Sequence, residues 1–133
     1  MKLSACGYVL PVRKVLIDLI TSALQSKPKL DRAEMVVLNF RDPSYSPQTG
    51  GYHPVEIGIV DSRIVYITEF SYVGCGSFSE LVIELDFEFK AGVFQQMGHH
   101  YPIERGVELF EMWQRNFCHY AGNGIYSVEV TCC

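Results

Sequence analysis

A chain of 133 residues, 48% hydrophobic and 20% charged, has the size and composition of one globular domain and is no disordered tract. Its net charge of −4, with eleven Lys and Arg scattered along the chain, argues against duplex nucleic acid as a partner, because phosphate binding needs clustered cations. No apolar run reaches bilayer-spanning length, so no membrane segment is expected.

Leu3-Ser4-Ala5-Cys6 looks like a lipoprotein cleavage box. Only five residues precede Cys6, fewer than the charged start and roughly seven apolar residues that a signal peptide needs. The expectation is a cytoplasmic protein, with export by a non-standard route left open. Pro11 suits a first helical position, since its missing N–H would be unpaired there. Val12, Val15, Leu16, Leu19, Ile20, Ala23 and Leu24 follow at helical spacing and predict an amphipathic helix, with Lys27-Pro28 as its stop.

Strands come next. Met35-Val36-Val37-Leu38 is apolar on both faces, which predicts a central or doubly covered strand. The stretch from Asn39 to Glu56 is a polar loop rich in Pro, Gly, Tyr and Ser. Loops of that length cost closure entropy and usually serve binding, catalysis or shape. Val55, Ile57 and Ile59 alternate with Glu56 and Gly58. Asp61-Ser62 offers a turn into Arg63–Phe70, although it is not the favoured Asn-Gly type. Gly74-Cys75-Gly76-Ser77 breaks the chain again. Leu81, Ile83, Leu85, Phe87 and Phe89 then alternate with Glu84, Asp86, Glu88 and Lys90, a period of two that predicts a strand. A helix over Phe78–Leu85 competes, because Phe78, Leu81, Val82 and Leu85 also fit helical spacing.

A second helix is predicted from Pro102, with Ile103, Val107, Phe110, Trp113, Phe117 and Tyr120 as its buried stripe and Gly122-Asn123-Gly124 as its end. Trp113 and Phe117 read as core anchors and not as ligand contacts. Ile125 to Thr131 closes the chain as a strand with Tyr126, Val128 and Val130 inward. Consecutive strands joined by short turns predict a single α+β domain over residues 1–133: a twisted antiparallel β-sheet with an N-terminal and a C-terminal helix packed on it. Met35–Phe40, Ile83, Leu85, Phe87 and Phe89 are expected to be buried in it.

No phosphate loop, nucleophile elbow, zinc-finger spacing or paired-histidine metalloprotease motif is present, so no catalytic residue, cofactor or metal is assigned. Cys6, Cys75, Cys118, Cys132 and Cys133 are odd in number and unpaired in spacing, and read as free thiols. His99-His100 reads as surface loop, since adjacent residues do not share a face. The long loop holds the candidate binding groups. Arg41 suits a carboxylate, Asp42, His53 and Glu56 suit acid–base or hydrogen-bonding work, and Tyr45 and Tyr52 suit an interface. Asp42-Pro43-Ser44-Tyr45 is equally ordinary turn chemistry. Glu84, Asp86 and Glu88 make a negative stripe that would attract a basic partner.

Asn39-Phe40-Arg41-Asp42-Pro43-Ser44-Tyr45-Ser46, Gly50-Gly51-Tyr52-His53-Pro54-Val55-Glu56-Ile57 and Tyr66-Ile67-Thr68-Glu69-Phe70-Ser71-Tyr72-Val73-Gly74 resemble an uncharacterised bacterial family, domain of unknown function 2787. So do Leu85-Asp86-Phe87-Glu88-Phe89, Gly92-Val93-Phe94-Gln95 and Trp113-Gln114-Arg115-Asn116-Phe117-Cys118, and the resemblance runs from about Leu10 to Val130. It implies a gammaproteobacterial protein associated with pathogenicity islands or mobile elements. The family has no assigned catalytic residues, so none is carried over. It also implies a fold similar to the mitochondrial acidic matrix protein that binds complement component 1q, a twisted antiparallel sheet with flanking helices, assembled as an oligomer. This chain is shorter and less acidic, and its last strand is placed after the second helix. The expectation is a non-enzymatic protein-binding module and homo-oligomer whose protein partner is partly basic and host-derived, such as complement component 1q. A small enzyme with a site around Asp42–Glu56 is the alternative. It requires His53, Glu56 or Asp42 to converge in a pocket with perturbed pKa.

Overall fold

The computed structural model describes residues 1–27 and 29–133. Its helices are α1 (Lys14–Leu24) and α2 (Val107–Gly122). Its strands are β1 (Val36–Arg41), β2 (Val55–Val60), β3 (Arg63–Val73), β4 (Glu80–Glu88), β5 (Val93–Gln96), β6 (His99–Pro102) and β7 (Ser127–Cys132). The seven strands form one sheet of order β6-β5-β4-β3-β2-β1-β7, antiparallel at every pairing. The chain runs as a meander, crosses one face in α2 and adds β7 beside β1. This is the α+β architecture that the sequence predicts, and the period-two reading of Leu81–Lys90 holds over the competing helix. No helix among the described residues is long and apolar enough to cross a membrane.

The core lies between the sheet and the helices. Val130, Leu38, Ile57, Ile67, Phe87 and Phe94 pair across successive strands in a single buried row. Phe110 meets Phe87 edge-on at 5.2 Å, and Phe117 meets Phe40 edge-on at 5.1 Å. Trp113 stacks on Phe117 at 5.0 Å, so Phe110, Trp113 and Phe117 anchor the helix as their spacing predicts, whereas Val107, expected in the same stripe, is exposed and Tyr120 is half-buried. β1 is paired on both sides but lies next to the edge strand β7, and Met35 and Val37 are only half-buried because helices cover one face of the sheet alone. Ile83 is exposed and Phe89 half-buried, contrary to the simple alternation. Val128 is exposed because it lies on the edge strand β7.

Local signals misplace several boundaries. His99 and His100 belong to the edge strand β6 and not to a loop. A 3-10 turn over Ile103–Gly106 precedes α2, which begins at Val107. Asp61 and Ser62 do form the hairpin turn, with φ of +51° and +59°, left-handed at both positions without a glycine. The first helix starts at Lys14 and not at Pro11. A tertiary contact explains the delay. Gln114 of α2, 2% exposed, accepts the Arg13 N–H through Oε1 at 2.9 Å. Its Nε2–H donates to the Pro11 carbonyl at 3.1 Å. The cap of α1 therefore comes from the other helix. The buried stripe is rotated accordingly: Ile17 is buried and Val15 is 54% exposed. Pro28, read as part of the helix stop, lies outside the described residues.

Gln114→Leu keeps most of the side-chain volume but leaves the part-buried Arg13 N–H and Pro11 carbonyl without their partner. It should lower stability by about 1–3 kcal/mol in urea unfolding and speed amide exchange at the start of α1. An unchanged midpoint would show that α1 needs no tertiary cap.

Candidate functional site

The long loop is tied down by one carboxylate. Asp42 accepts the Ser44 N–H and hydroxyl on Oδ1, at 3.0 and 2.7 Å, and the Tyr52 N–H on Oδ2 at 3.0 Å. These bonds, the Tyr52 amide first, hold its carboxyl below the usual carboxylate range. Gly51 has a φ of +137°, and a Cβ there would meet Asp42 Oδ2 at 2.9 Å. Tyr45 turns inward. Its hydroxyl accepts the Tyr72 N–H at 3.0 Å, and its ring packs on His53 and Tyr72 at 5.3 and 5.1 Å. Tyr52 packs on Tyr120 of α2 at 4.6 Å. Arg41 is exposed at the end of β1.

The acidic stripe is divided by a bulge. Glu69 pairs with Leu85 and Phe70 with Ile83, which leaves Glu84 between them with no partner on β3. Glu84 turns to the helix side of the sheet. Asp86 and Glu88 stay on the open face, opposite Thr68 and Tyr66. There Thr68 donates to Asp86 at 2.6 Å and the Tyr66 hydroxyl donates to Glu56 at 2.5 Å. Gly58 makes room for this, since a Cβ on it would lie 2.2 Å from the Tyr66 ring. Partial burial, and then the hydrogen bond and charge of Asp86, push the Glu88 carboxyl up to about 7. Glu129, Asn39, Glu56, Thr68, Asp86 and Gln95 form a polar row across the open face.

On the helix side a cleft of about 490 Å³ opens between the end of the long loop, the bulge and α2. Tyr52, Met97, Met112, Trp113, Tyr120 and Tyr126 line it, together with three titratable groups on its floor. His53 Nδ1 is 2.7 Å from Glu84 Oε2 and 3.4 Å from Glu69 Oε2. Glu69 Oε1 accepts the Trp113 indole N–H at 3.2 Å. Burial, then the hydrogen bond to Glu84, push the Glu69 carboxyl up to about 7, and the adjacent His53 offsets part of that rise. Burial and the Glu69 charge likewise raise the Tyr126 phenol. One imidazole nitrogen and two carboxylates, all within 4.8 Å of one another, can pass a proton or hold a cation. Among the described residues no Lys or Arg lines the cleft. Cys118 is elsewhere in the core, and burial pushes its thiol up to about 11.

A model of the family described as protein of unknown function (DUF2787) matches residues 14–131. The chain belongs to this family. Two solved structures are similar to this DUF2787 chain. One is a hypothetical protein from the VSP-II pathogenicity island of Vibrio cholerae, 33% identical with a TM-score of 0.84 over 97% of this chain and 100% of that one. The other is a conserved hypothetical protein from the VPI-2 pathogenicity island of Vibrio cholerae, 35% identical with a TM-score of 0.82 over 95% and 98% of the two chains. That protein is described as sharing structural homology with the human P32 protein, and the fold of this DUF2787 chain is of the same kind. No curated protein matches the chain.

Of the groups singled out in the sequence, the structure brings His53 and Glu84 together and separates the rest. Glu56 faces the opposite side of the sheet, and Asp42 is consumed by the turn. Of His53, Glu56 and Asp42, the groups on which the enzyme alternative would draw, His53 lines the cleft and the other two do not. Glu69 replaces them, and the sequence holds one signal for it. It shares parity with Ile67, so a carboxylate was bound to point at the core side. Trp113 is a core anchor as expected, but its N–H also reaches the cleft floor.

The raised carboxyls have a consequence for stability. A group protonated more tightly in the fold than in the unfolded chain adds stability below its ordinary value of 4.5 and loses it as pH rises through about 7. The melting temperature should therefore fall from pH 5 to pH 8, and Glu88→Gln should flatten that decline. Identical pH slopes for the two proteins would contradict the crowding of Asp86 and Glu88.

Proposed function

We propose that this DUF2787 protein is a non-enzymatic protein-binding module, and that a partly basic protein partner docks on the open face of its sheet. One observation carries the reading. Glu56, Asp86, Glu88 and Glu129 are spread over three strands, β2, β4 and β7, of a face that no described helix covers. Among the described residues none of the four has a cationic partner. Ile83 and Tyr72, 39% and 37% exposed, extend the same face with apolar and aromatic surface. Such a face attracts a cationic partner through its field and offers it area to bury. The likeness to a structure described as sharing homology with human P32 supports an interaction role. Complement component 1q and a second copy of the chain are the first partners to try.

A second reading, a small enzyme, is favoured by the cleft alone. His53 and Glu69 lie in hydrogen-bond range there, and Glu69 near neutrality suits a general acid or base. Turnover of a small molecule that His53→Ala abolishes would establish it.

Association with complement component 1q should slow as salt rises, because exposed charges are screened over about 8 Å at physiological ionic strength. The triple variant Glu56→Gln, Asp86→Asn, Glu88→Gln should slow it about tenfold or more at low salt and keep its fold. Equal association rates for the parent and the triple variant would remove the open face from the interaction.

A further inference from the structure

We propose that His53, Glu69 and Glu84 form a binding site for one divalent first-row transition cation, with Zn²⁺ the preferred ion, on the floor of the cleft beneath α2. The ligand set is one imidazole nitrogen and two carboxylates. Carboxylates alone suit Mg²⁺ and Ca²⁺, whereas an imidazole shifts the preference to Zn²⁺ and its neighbours. Three protein ligands with the fourth direction open to a cleft is the arrangement of zinc sites that keep an exchangeable position.

The geometry needs little change. Ligand atoms about 2.1 Å from a tetrahedral ion stand about 3.4 Å apart. His53 Nδ1 and Glu69 Oε2 are already 3.4 Å apart. His53 Nδ1 and Glu84 Oε2 are at hydrogen-bond distance, 2.7 Å. The ion would take the place of that hydrogen bond and widen the pair by a small side-chain rotation, with Nδ1 and both carboxylates deprotonated as ligands.

Each ligand is also held from behind. Glu69 spends its second oxygen on the Trp113 indole N–H, an outer hydrogen bond of the kind that orients a metal-binding carboxylate. His53 is flanked by the Tyr45 ring and by the buried Pro54. Glu84 reaches the floor only because the bulge takes it out of the alternation. Among the described residues no Lys or Arg lines the cleft, so His53 is the basic group that stands beside the two carboxylates. The site is on the opposite side of the sheet from the acidic face, so it stands or falls apart from the protein-binding reading.

The exposed thiols Cys6, Cys75, Cys132 and Cys133 and the exposed His99-His100 pair are competing ligands, and the test must exclude them. The full chain with those four cysteines changed to Ser is titrated with Zn²⁺ by calorimetry and with Co²⁺ by visible absorption. One ion per chain is expected, with weak d–d bands, a higher melting temperature and no competition from equimolar Mg²⁺. His53→Ala and Glu84→Gln should each weaken binding more than tenfold while His100→Ala leaves it unchanged. Trp113→Phe, which keeps an aromatic ring but loses the N–H, should weaken it about tenfold. No binding with Zn²⁺ in excess, or the same affinity in folded His53→Ala and Glu84→Gln proteins, would overturn the proposal. So would loss of binding in His100→Ala.

Discussion

β4 cannot keep its alternation through Glu84, because β3 offers that residue no partner. Glu69 faces Leu85, Phe70 faces Ile83, and the intervening residue must turn aside. That single extra residue places Leu85 and Phe87 in the core while Ile83 looks outward. It also sends Glu84 to the helix side and leaves Asp86 and Glu88 on the open face. The cleft, the acidic face and the partial exposure of the β3–β4 hairpin all follow from it.

The two acidic groups then live under different physics. On the open face the carboxylates are in contact with water, so their influence on a partner is long-ranged, screened by salt and spread over several strands. Within it Tyr66 and Thr68 act as donors that hold Glu56 and Asp86 in place. In the cleft Glu69 is enclosed by Trp113, Tyr126 and the sheet, where charge is poorly solvated. Its protonation is governed by near neighbours, and its favoured compensation is a proton or a cation directly in contact.

α2 links the halves of the molecule. Phe110, Trp113 and Phe117 seat it on the sheet, Gln114 on its other side caps α1, and Tyr120 receives Tyr52 of the long loop. One helix thus positions the core, the first helix and the wall of the cleft. The long loop is less a free binding arm than a strap. Asp42 closes its turn and Tyr45 and Tyr52 fasten it to β3 and α2.

The element order, the antiparallel sheet and the buried stripe of α2 are legible in the sequence, because periods of 2 and 3.6 residues are imposed by backbone geometry within each segment. The turn chemistry of Asp42-Pro43-Ser44 is legible for the same reason. The start of α1 is not, since the Arg13 N–H is held by Gln114, 101 positions further along the chain. Nor is the division of Glu84 from Asp86 and Glu88, which depends on how β4 registers against β3. The cleft floor joins His53, Glu69 and Glu84 from a loop end and two strands, and no spacing along the chain encodes that meeting. Local patterns determine what each segment becomes, but only long-range pairing, with its bulge, decides which side chains share a site.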